Sequence, residues 1–287
     1  GIPAARQKVW WDKEMKQRLI VAGVGIPVLL LILLAAPVWA TAAMCALLSA
    51  VGCYELMHAV GKDEWKLLCL MPLFAAWMCT SIGLGEEWTP EPGLYMAAAC
   101  FIAVVYTFAM AVVTHGRERS LSFRTAMAGL FAMSAIAAGF ACLVILRDIS
   151  PTVVLTPFIG AFMSDTGAFF AGRAFGTRKL CPAVSPNKTV AGCIGGFAGS
   201  IVGMAVFHII VKAVVHLDIG WANILIMGVL GSLFGQLGDL SFSVIKREFG
   251  IKDYGTIFPG HGGVLDRFDS VLFVSPAYLL FLLFFFA

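Results

Sequence analysis

The segment from Ser243 to Asp269 gathers many of the side chains in this chain that could do chemistry. Acidic and basic residues follow one another closely around a Pro-Gly-His-Gly-Gly turn: Lys246, Arg247, Lys252, Asp253, His261, Asp266, Arg267 and Asp269. Lysine and arginine suit phosphate oxygens, and neighbouring carboxylates suit a hard divalent cation. Because 60% of the chain is hydrophobic and only 13% is charged, a segment this polar indicates a functional site.

The elements that position this site must lie in a membrane. A mean hydropathy of +0.90 falls outside the range of soluble globular proteins. The net charge of +3 is too small to indicate nucleic acid as a partner. The eight cysteines include no Cys-x-x-Cys pair, so neither a zinc site nor a disulfide framework is indicated.

The sequence predicts an all-α polytopic membrane protein with about nine transmembrane helices. Crossing a bilayer takes about 20 apolar residues. Nine stretches qualify: 19–37, 39–60, 66–84, 94–114, 125–146, 153–172, 189–211, 221–245 and 264–286.

Basic residues predict an N-in, C-out orientation. With a cytoplasmic N-terminus, all of the 20 Lys and Arg except Arg147 and Lys212 fall on the cytoplasmic side. This predicts a multi-pass protein of the cell (inner) membrane. We expect a cytoplasmic or interfacial segment (1–18), N-terminal helices that form a scaffold, dimer contacts and a lipid-facing surface (19–150), and a catalytic region (151–287). Glu55, near the end of a span, is interpreted as extending to the interface.

Four carboxylates fall at one predicted depth, near the cytoplasmic face: Asp165, Asp239, Asp266 and Asp269. A single aspartate there could be a structural hydrogen-bond acceptor or a helix cap, but charges in membrane segments usually face a cavity or a partner. Asp239, Ser243 and Lys246 also share one helix face through their i, i+4, i+7 spacing. Together the carboxylates predict a metal–phosphate site, with Mg²⁺ held by Asp239, Asp266 and Asp269.

A second polar constellation extends from Arg173 to Thr189. Ser185 followed by Pro186 predicts an N-cap and the first residue of the seventh span. A helix N-terminus beside Lys188 and Thr189 would attract an anion. A capping role alone is the alternative interpretation.

These motifs resemble the phosphatidate cytidylyltransferases, also called CDP-diacylglycerol synthases. The resemblance covers most of 160–275 and is weaker in 1–150. It is carried by Ser164-Asp165-Thr166-Gly167-Ala168, Gly172-Arg173, the Ser-Pro-x-Lys-Thr string at 185–189, Ser243, Lys246-Arg247, Lys252-Asp253, Gly255, Phe258-Pro259, His261-Gly262-Gly263, Asp266-Arg267 and Asp269.

The resemblance implies transfer of the cytidylyl group of CTP to phosphatidic acid, giving CDP-diacylglycerol and pyrophosphate. It implies Mg²⁺, with a second ion (K⁺ or divalent), and a homodimer among membrane lipids. The implied catalytic residues are Asp239, Asp266, Lys246, Arg247, His261 and Arg267. The implied substrate-binding residues are Asp165, Arg173, Ser185, Asn187, Lys188, Thr189, Ser243, Lys252 and Asp253.

Other functions stay open. A CTP-dependent lipid-alcohol kinase, or another lipid cytidylyltransferase, would keep the metal site and change the acceptor. A transporter or flippase could use polar residues in broken helices, although the acids here cluster at one face rather than at the midplane. A scaffold protein without activity would not need the polar cluster.

Overall fold

The computed structural model describes residues 23–61, 64–83, 92–257 and 262–286, and helices make up most of them. A helix pairs its own backbone N–H and C=O groups, which the interior of a bilayer requires. In chain order the helices are α1 (Gly23–Leu34), α2 (Val38–Gly61), α3 (Met71–Gly83), α4 (Pro92–Thr114), α5 (Phe123–Phe131), α6 (Ala138–Ile149), α7 (Thr156–Phe175), α8 (Val190–Val214), α9 (Trp221–Glu248) and α10 (Leu265–Phe286).

Eight helical segments among the described residues are long and apolar enough to cross a membrane, so the all-α multi-pass architecture is confirmed. They coincide with the last eight of the nine predicted spans. The first predicted span, 19–37, lies partly outside the described residues, and its described part forms the shorter helix α1. The fifth span is interrupted, since a π-helical turn at Ala132–Ala137 separates α5 from α6. The N-in, C-out orientation stays a prediction.

The predicted N-cap of the seventh span, Ser185, was wrong. Instead of opening a helix, Ser185–Thr189 forms strand β2, which pairs antiparallel with β1 (Lys179–Cys181). The helix begins at Val190, and Thr189 is its N-cap: its hydroxyl accepts the Gly192 N–H at 3.0 Å. The Ser-Pro pair favours a helix start locally, but pairing with β1 favours a strand here. Proline is tolerated in that strand because its position needs no backbone N–H donor.

Glycines let the helices that carry the polar residues approach closely. A Cβ added at Gly167 of α7 would collide with the backbone of Gly195 in α8, and one at Gly228 of α9 would lie 2.7 Å from the α-carbon of Ile201 in α8. A Cβ at Gly238 of α9 would lie 2.5 Å from the carbonyl oxygen of Asp269 in α10. Small residues thus allow close helix packing at these contacts, and the last one places Asp239 beside the first turns of α10.

Candidate active site

Three carboxylates from three neighbouring helices interact electrostatically. Asp165 of α7 feels the charges of Asp239 and Lys188, and Asp269 of α10 feels those of Asp239, Asp165 and Lys246. Asp269 also accepts hydrogen bonds from the N–H and hydroxyl of Ser270, at 2.7 and 3.4 Å. The structure therefore unites three of the four carboxylates that the sequence predicted to lie at one depth.

Lys188 joins the hairpin to this carboxylate group. Its Nζ lies 2.6 Å from Oδ2 of Asp239, and the two side chains are 25% and 29% exposed. The nitrogen itself is buried and makes no well-directed hydrogen bond with the described residues, so the contact is an ion pair whose angles are poor for hydrogen bonding. The other oxygen of Asp239 accepts the hydroxyl of Ser243 at 3.3 Å, across the predicted helix face.

Asp266 has a more closed environment. Its Oδ1 accepts from the ammonium of Lys246 at 3.1 Å, and its Oδ2 accepts the backbone N–H groups of Tyr254 and Gly263 at 2.8 and 2.9 Å. The side chain is 4% exposed and that of Lys246 is 14% exposed. With both oxygens engaged, Asp266 is suited to organising the loop between α9 and α10.

Tyr254 belongs to the same loop and is held at both ends. Its hydroxyl donates to the carbonyl of Phe242 at 2.9 Å, while its N–H bonds Asp266. Burial, with smaller contributions from the charges of Asp266 and Asp269, raises the pKa of the Tyr254 phenol well above its ordinary value. The phenol therefore stays protonated at neutral pH and acts as a structural donor rather than as a base.

A cavity of about 610 Å³ lies beside the Lys188–Asp239 pair, a volume that suits a small-molecule ligand. Its polar lining includes five of the predicted substrate-binding residues, namely Asp165, Arg173, Asn187, Lys188 and Thr189. The hydroxyl of Thr189 is committed to capping α8. The sequence reasoning missed Gln236, which also lines the cavity and donates to the carbonyl of Cys193 and the hydroxyl of Ser232.

The remaining predicted residues are not among those that line the cavity. Arg247 donates to the carbonyl of Val184 at 3.2 Å and so ties the end of α9 to the hairpin turn. Lys252 and Asp253 are exposed in the loop after α9, and Arg267 is exposed in the first turn of α10. Ser185 begins β2. The predicted catalytic residue His261 lies outside the described residues.

The structure also contradicts the interpretation of Glu55 as a residue that extends to the interface. Its side chain is 3% exposed and accepts the N–H groups of Val264 and Leu265, each at 3.0 Å. The signal that could have found it is an ionisable residue within an otherwise apolar span, which by default indicates a function.

The metal prediction remains untested. Across the part of the chain that the structure describes, no group of three or more His, Cys, Asp or Glu residues is arranged to hold a metal ion. The individual carboxylates are nevertheless of the chemical type that Mg²⁺ prefers, and Mg²⁺ commonly uses only one or two of them together with water and phosphate oxygens.

A helical fold that spans a membrane, with a cavity lined by Lys188, Arg173 and Asp165, defines an integral membrane protein with a charged cavity. The chain belongs to the cytidylyltransferase family, whose model matches residues 16–285.

Several curated relatives share the printed name phosphatidate cytidylyltransferase. The one from Bacillus subtilis is 32% identical over 277 residues, covering 94% of this chain and 98% of the relative. One from Staphylococcus epidermidis is 38% identical over 234 residues, covering 80% and 85%. One from Staphylococcus saprophyticus is 41% identical over 181 residues, covering 63% of this chain and 65% of the relative.

Proposed function

We propose that this protein transfers the cytidylyl group of CTP to phosphatidic acid, forming CDP-diacylglycerol and pyrophosphate. The observation that carries the proposal is the Lys188–Asp239 ion pair beside a cavity of about 610 Å³, in a chain that matches the cytidylyltransferase family over 16–285. We infer the lipid substrate from the name phosphatidate cytidylyltransferase that the relatives share.

The reaction joins two polyanions, so the site must offset their mutual repulsion. An oxygen of the phosphatidate phosphate forms a bond to the α-phosphorus of CTP, and the bond from that phosphorus to the bridging oxygen of the β-phosphate breaks. The leaving group takes the electron pair as pyrophosphate. Lys188 and Arg173 line the cavity and supply positive charge to the phosphates. Because phosphatidate is already ionised at neutral pH, no strong general base is required.

We propose that Asp239 and Asp269 hold Mg²⁺, with Asp165 nearby. Support comes from the electrostatic interaction among these three carboxylates and from the ammonium of Lys188, which lies 2.6 Å from Oδ2 of Asp239. When bound, the metal ion supplies charge that stabilises the developing pyrophosphate. Asp266, whose oxygens already accept three donors, is given a positioning role. A second ion, K⁺ or divalent, stays a prediction.

A pair of labelled substrates tests the reaction. Purified protein in detergent receives Mg²⁺ and either phosphatidic acid or diacylglycerol, with CTP labelled at the α- or at the γ-phosphate. Cytidylyl transfer moves the α-label to lipid only when phosphatidic acid is present. Transfer of the γ-label to diacylglycerol would instead identify a lipid-alcohol kinase. No transfer of either label, in a preparation that binds CTP, would overturn both enzymatic proposals.

A further inference from the structure

Glu55 bridges two regions that are distant in sequence. It lies on α2, and each of its carboxylate oxygens accepts one backbone N–H at the start of α10: Oε1 from Val264 and Oε2 from Leu265, both at 3.0 Å. These are N–H groups that a helix cannot satisfy internally, and a carboxylate is favoured at this end by the helix dipole. A buried acid from the N-terminal helices therefore completes the start of α10.

Two glycines leave the space that this carboxylate occupies. A Cβ at Gly255, in the loop after α9, would collide with Oε1 of Glu55. A Cβ at Gly263, just before α10, would collide with both oxygens. Neither glycine has a positive φ, so their small size, not unusual backbone geometry, is what the carboxylate requires.

The helix start that Glu55 holds also carries the acidic residues of the candidate site. Asp266 stands in the first turn of α10, accepts the N–H groups of Tyr254 and Gly263, and pairs with Lys246. Asp269 stands one turn later and interacts electrostatically with Asp239. At the start of α10, Asp266 accepts the N–H group of Gly263 and Glu55 accepts those of Val264 and Leu265, so losing Glu55 leaves two of these three N–H groups without their acceptor.

We propose that Glu55 is a positioning residue for catalysis: it fixes the start of α10 so that Asp266 and Asp269 face α9 in the reactive arrangement. The inference rests on the proposed function of those aspartates. A small displacement of a catalytic group lowers turnover steeply, by up to about 10²-fold for a shift near 1 Å. Glu55 is not among the residues that line the cavity, so its effect falls on turnover more than on CTP affinity.

The first test is Glu55→Gln in the full chain. Glutamine keeps the size but turns an NH₂ group toward one of the two N–H donors, so one hydrogen bond becomes a repulsive contact. We expect kcat to fall by roughly 10- to 100-fold while KM for CTP changes by less than about threefold. Hydrogen exchange of the peptide covering 262–270 should accelerate, and the thermal unfolding temperature in detergent should stay close to that of the wild type.

The second test fills the space that Gly255 leaves for the Glu55 carboxylate. Gly255→Ala should lower kcat, because the new methyl displaces the carboxylate. In the Glu55→Ala background the same methyl has room, so Gly255→Ala should add little further loss. This non-additivity is the signature of a direct contact. Ser49→Ala, a buried change on the same helix, is the matched control and should retain wild-type kcat.

Three outcomes decide the proposal. Wild-type kcat in Glu55→Gln, or full additivity in the double variant, overturns it. A kcat loss that parallels a large fall in unfolding temperature, with exchange accelerated throughout the protein, also overturns it, because Glu55 would then be a general stability residue. Asp269→Asn separates the two proposals: if it keeps full activity the proposed site fails, and if it is inactive while Glu55→Gln is fully active only the role of Glu55 fails.

Discussion

Two lysine–aspartate pairs in the same site have different surroundings. The Lys188–Asp239 pair borders the cavity, and about a quarter of each side chain is exposed. The Lys246–Asp266 pair is almost enclosed, and Asp266 also accepts two backbone N–H groups. A ligand in the cavity would meet Lys188 and compete with Asp239 for it, whereas breaking the second pair would leave a buried charge.

Asparagine substitutions should therefore separate the two aspartates. Asp239→Asn should lower turnover by at least about 10²-fold through lost electrostatic stabilisation, with little change in stability. Asp266→Asn should also lower turnover, and it should destabilise the fold by roughly 2–3 kcal/mol because Lys246 loses its buried partner. Turnover at saturating Mg²⁺ and thermal unfolding in detergent measure the two effects. Equal stability of the two variants would contradict the distinction.

Lys188 gives a prediction about substrates. Lys188→Ala removes one charge-assisted contact, worth roughly 1.5–3 kcal/mol, so affinity for CTP should fall by about 10- to 150-fold. The dependence on phosphatidate should change much less. Binding of labelled CTP and steady-state kinetics with both substrates check this. Lys179→Ala is the matched control, because Lys179 is exposed in the same hairpin and is absent from the cavity lining.

If Lys188→Ala raised KM for phosphatidate and left CTP binding intact, the hairpin would belong to the lipid side of the site. The assignment of Asp239 to the metal could survive that result, because it rests on the carboxylates and not on the hairpin.

At the scale of elements, the β1–β2 hairpin delivers Lys188 and Asn187 to the cavity and then leads directly into α8. The N-terminus of α8 is completed by Thr189, whose hydroxyl caps Gly192 and also lies against Gly176. The same residue therefore ends the strand, begins the helix and contacts the end of α7.

The assignment of Thr189 as the N-cap of α8 can be tested by measuring the stability of variants. Thr189→Ala should cost about 1 kcal/mol, typical of a lost N-cap, and Thr189→Ser should recover most of it because the hydroxyl is retained. Thermal unfolding in detergent provides the measurement. Ser185→Ala, at the position that the sequence had predicted as the cap, should change stability by less than about 0.5 kcal/mol. A larger loss from Ser185→Ala than from Thr189→Ala would place the cap where the sequence had predicted it.

Patterns that depend on local periodicity were predictable, whereas those that depend on distant partners were not. The length of the apolar stretches predicted the membrane spans, and the i, i+4 spacing predicted that Asp239 and Ser243 share a helix face, where they form a hydrogen bond. The hairpin was missed because its pairing with Lys179–Cys181 outweighs the local Ser-Pro signal. The burial of Glu55 was missed because its two donors lie more than 200 residues away, and no local pattern encodes that contact.

At the scale of the whole molecule, basic residues are distributed very unevenly between alternate connections. Of the 20 Lys and Arg, only Arg147 and Lys212 fall on the predicted outer side. Lys212 forms a 2.6 Å ion pair with Asp218 in the connection between α8 and α9, so its charge is partly offset there. The homodimer that the family resemblance implied stays a prediction.

The orientation can be tested by labelling. In a variant lacking all eight native cysteines, a single cysteine at position 87 should react in intact cells with a maleimide that cannot cross the membrane. A cysteine at position 256, where the exposed Thr256 lies in the loop after α9, should react only after the cells are opened. The expected result follows from the enrichment of Lys and Arg in cytoplasmic connections. The reverse pattern would overturn both the orientation and the cytoplasmic location of the site.

The two partners of the Lys188–Asp239 pair stand on different kinds of element. Asp239 belongs to a helix whose glycines, including Gly228 and Gly238, lie directly against neighbouring backbones. Such contacts leave no side chains that could yield. Lys188 instead stands on a strand of a two-stranded hairpin. The Lys188–Asp239 pair and the hydrogen bond from Arg247 to the carbonyl of Val184 therefore both tie the hairpin to α9, so a ligand that takes Lys188 away from Asp239 removes one of these two tethers.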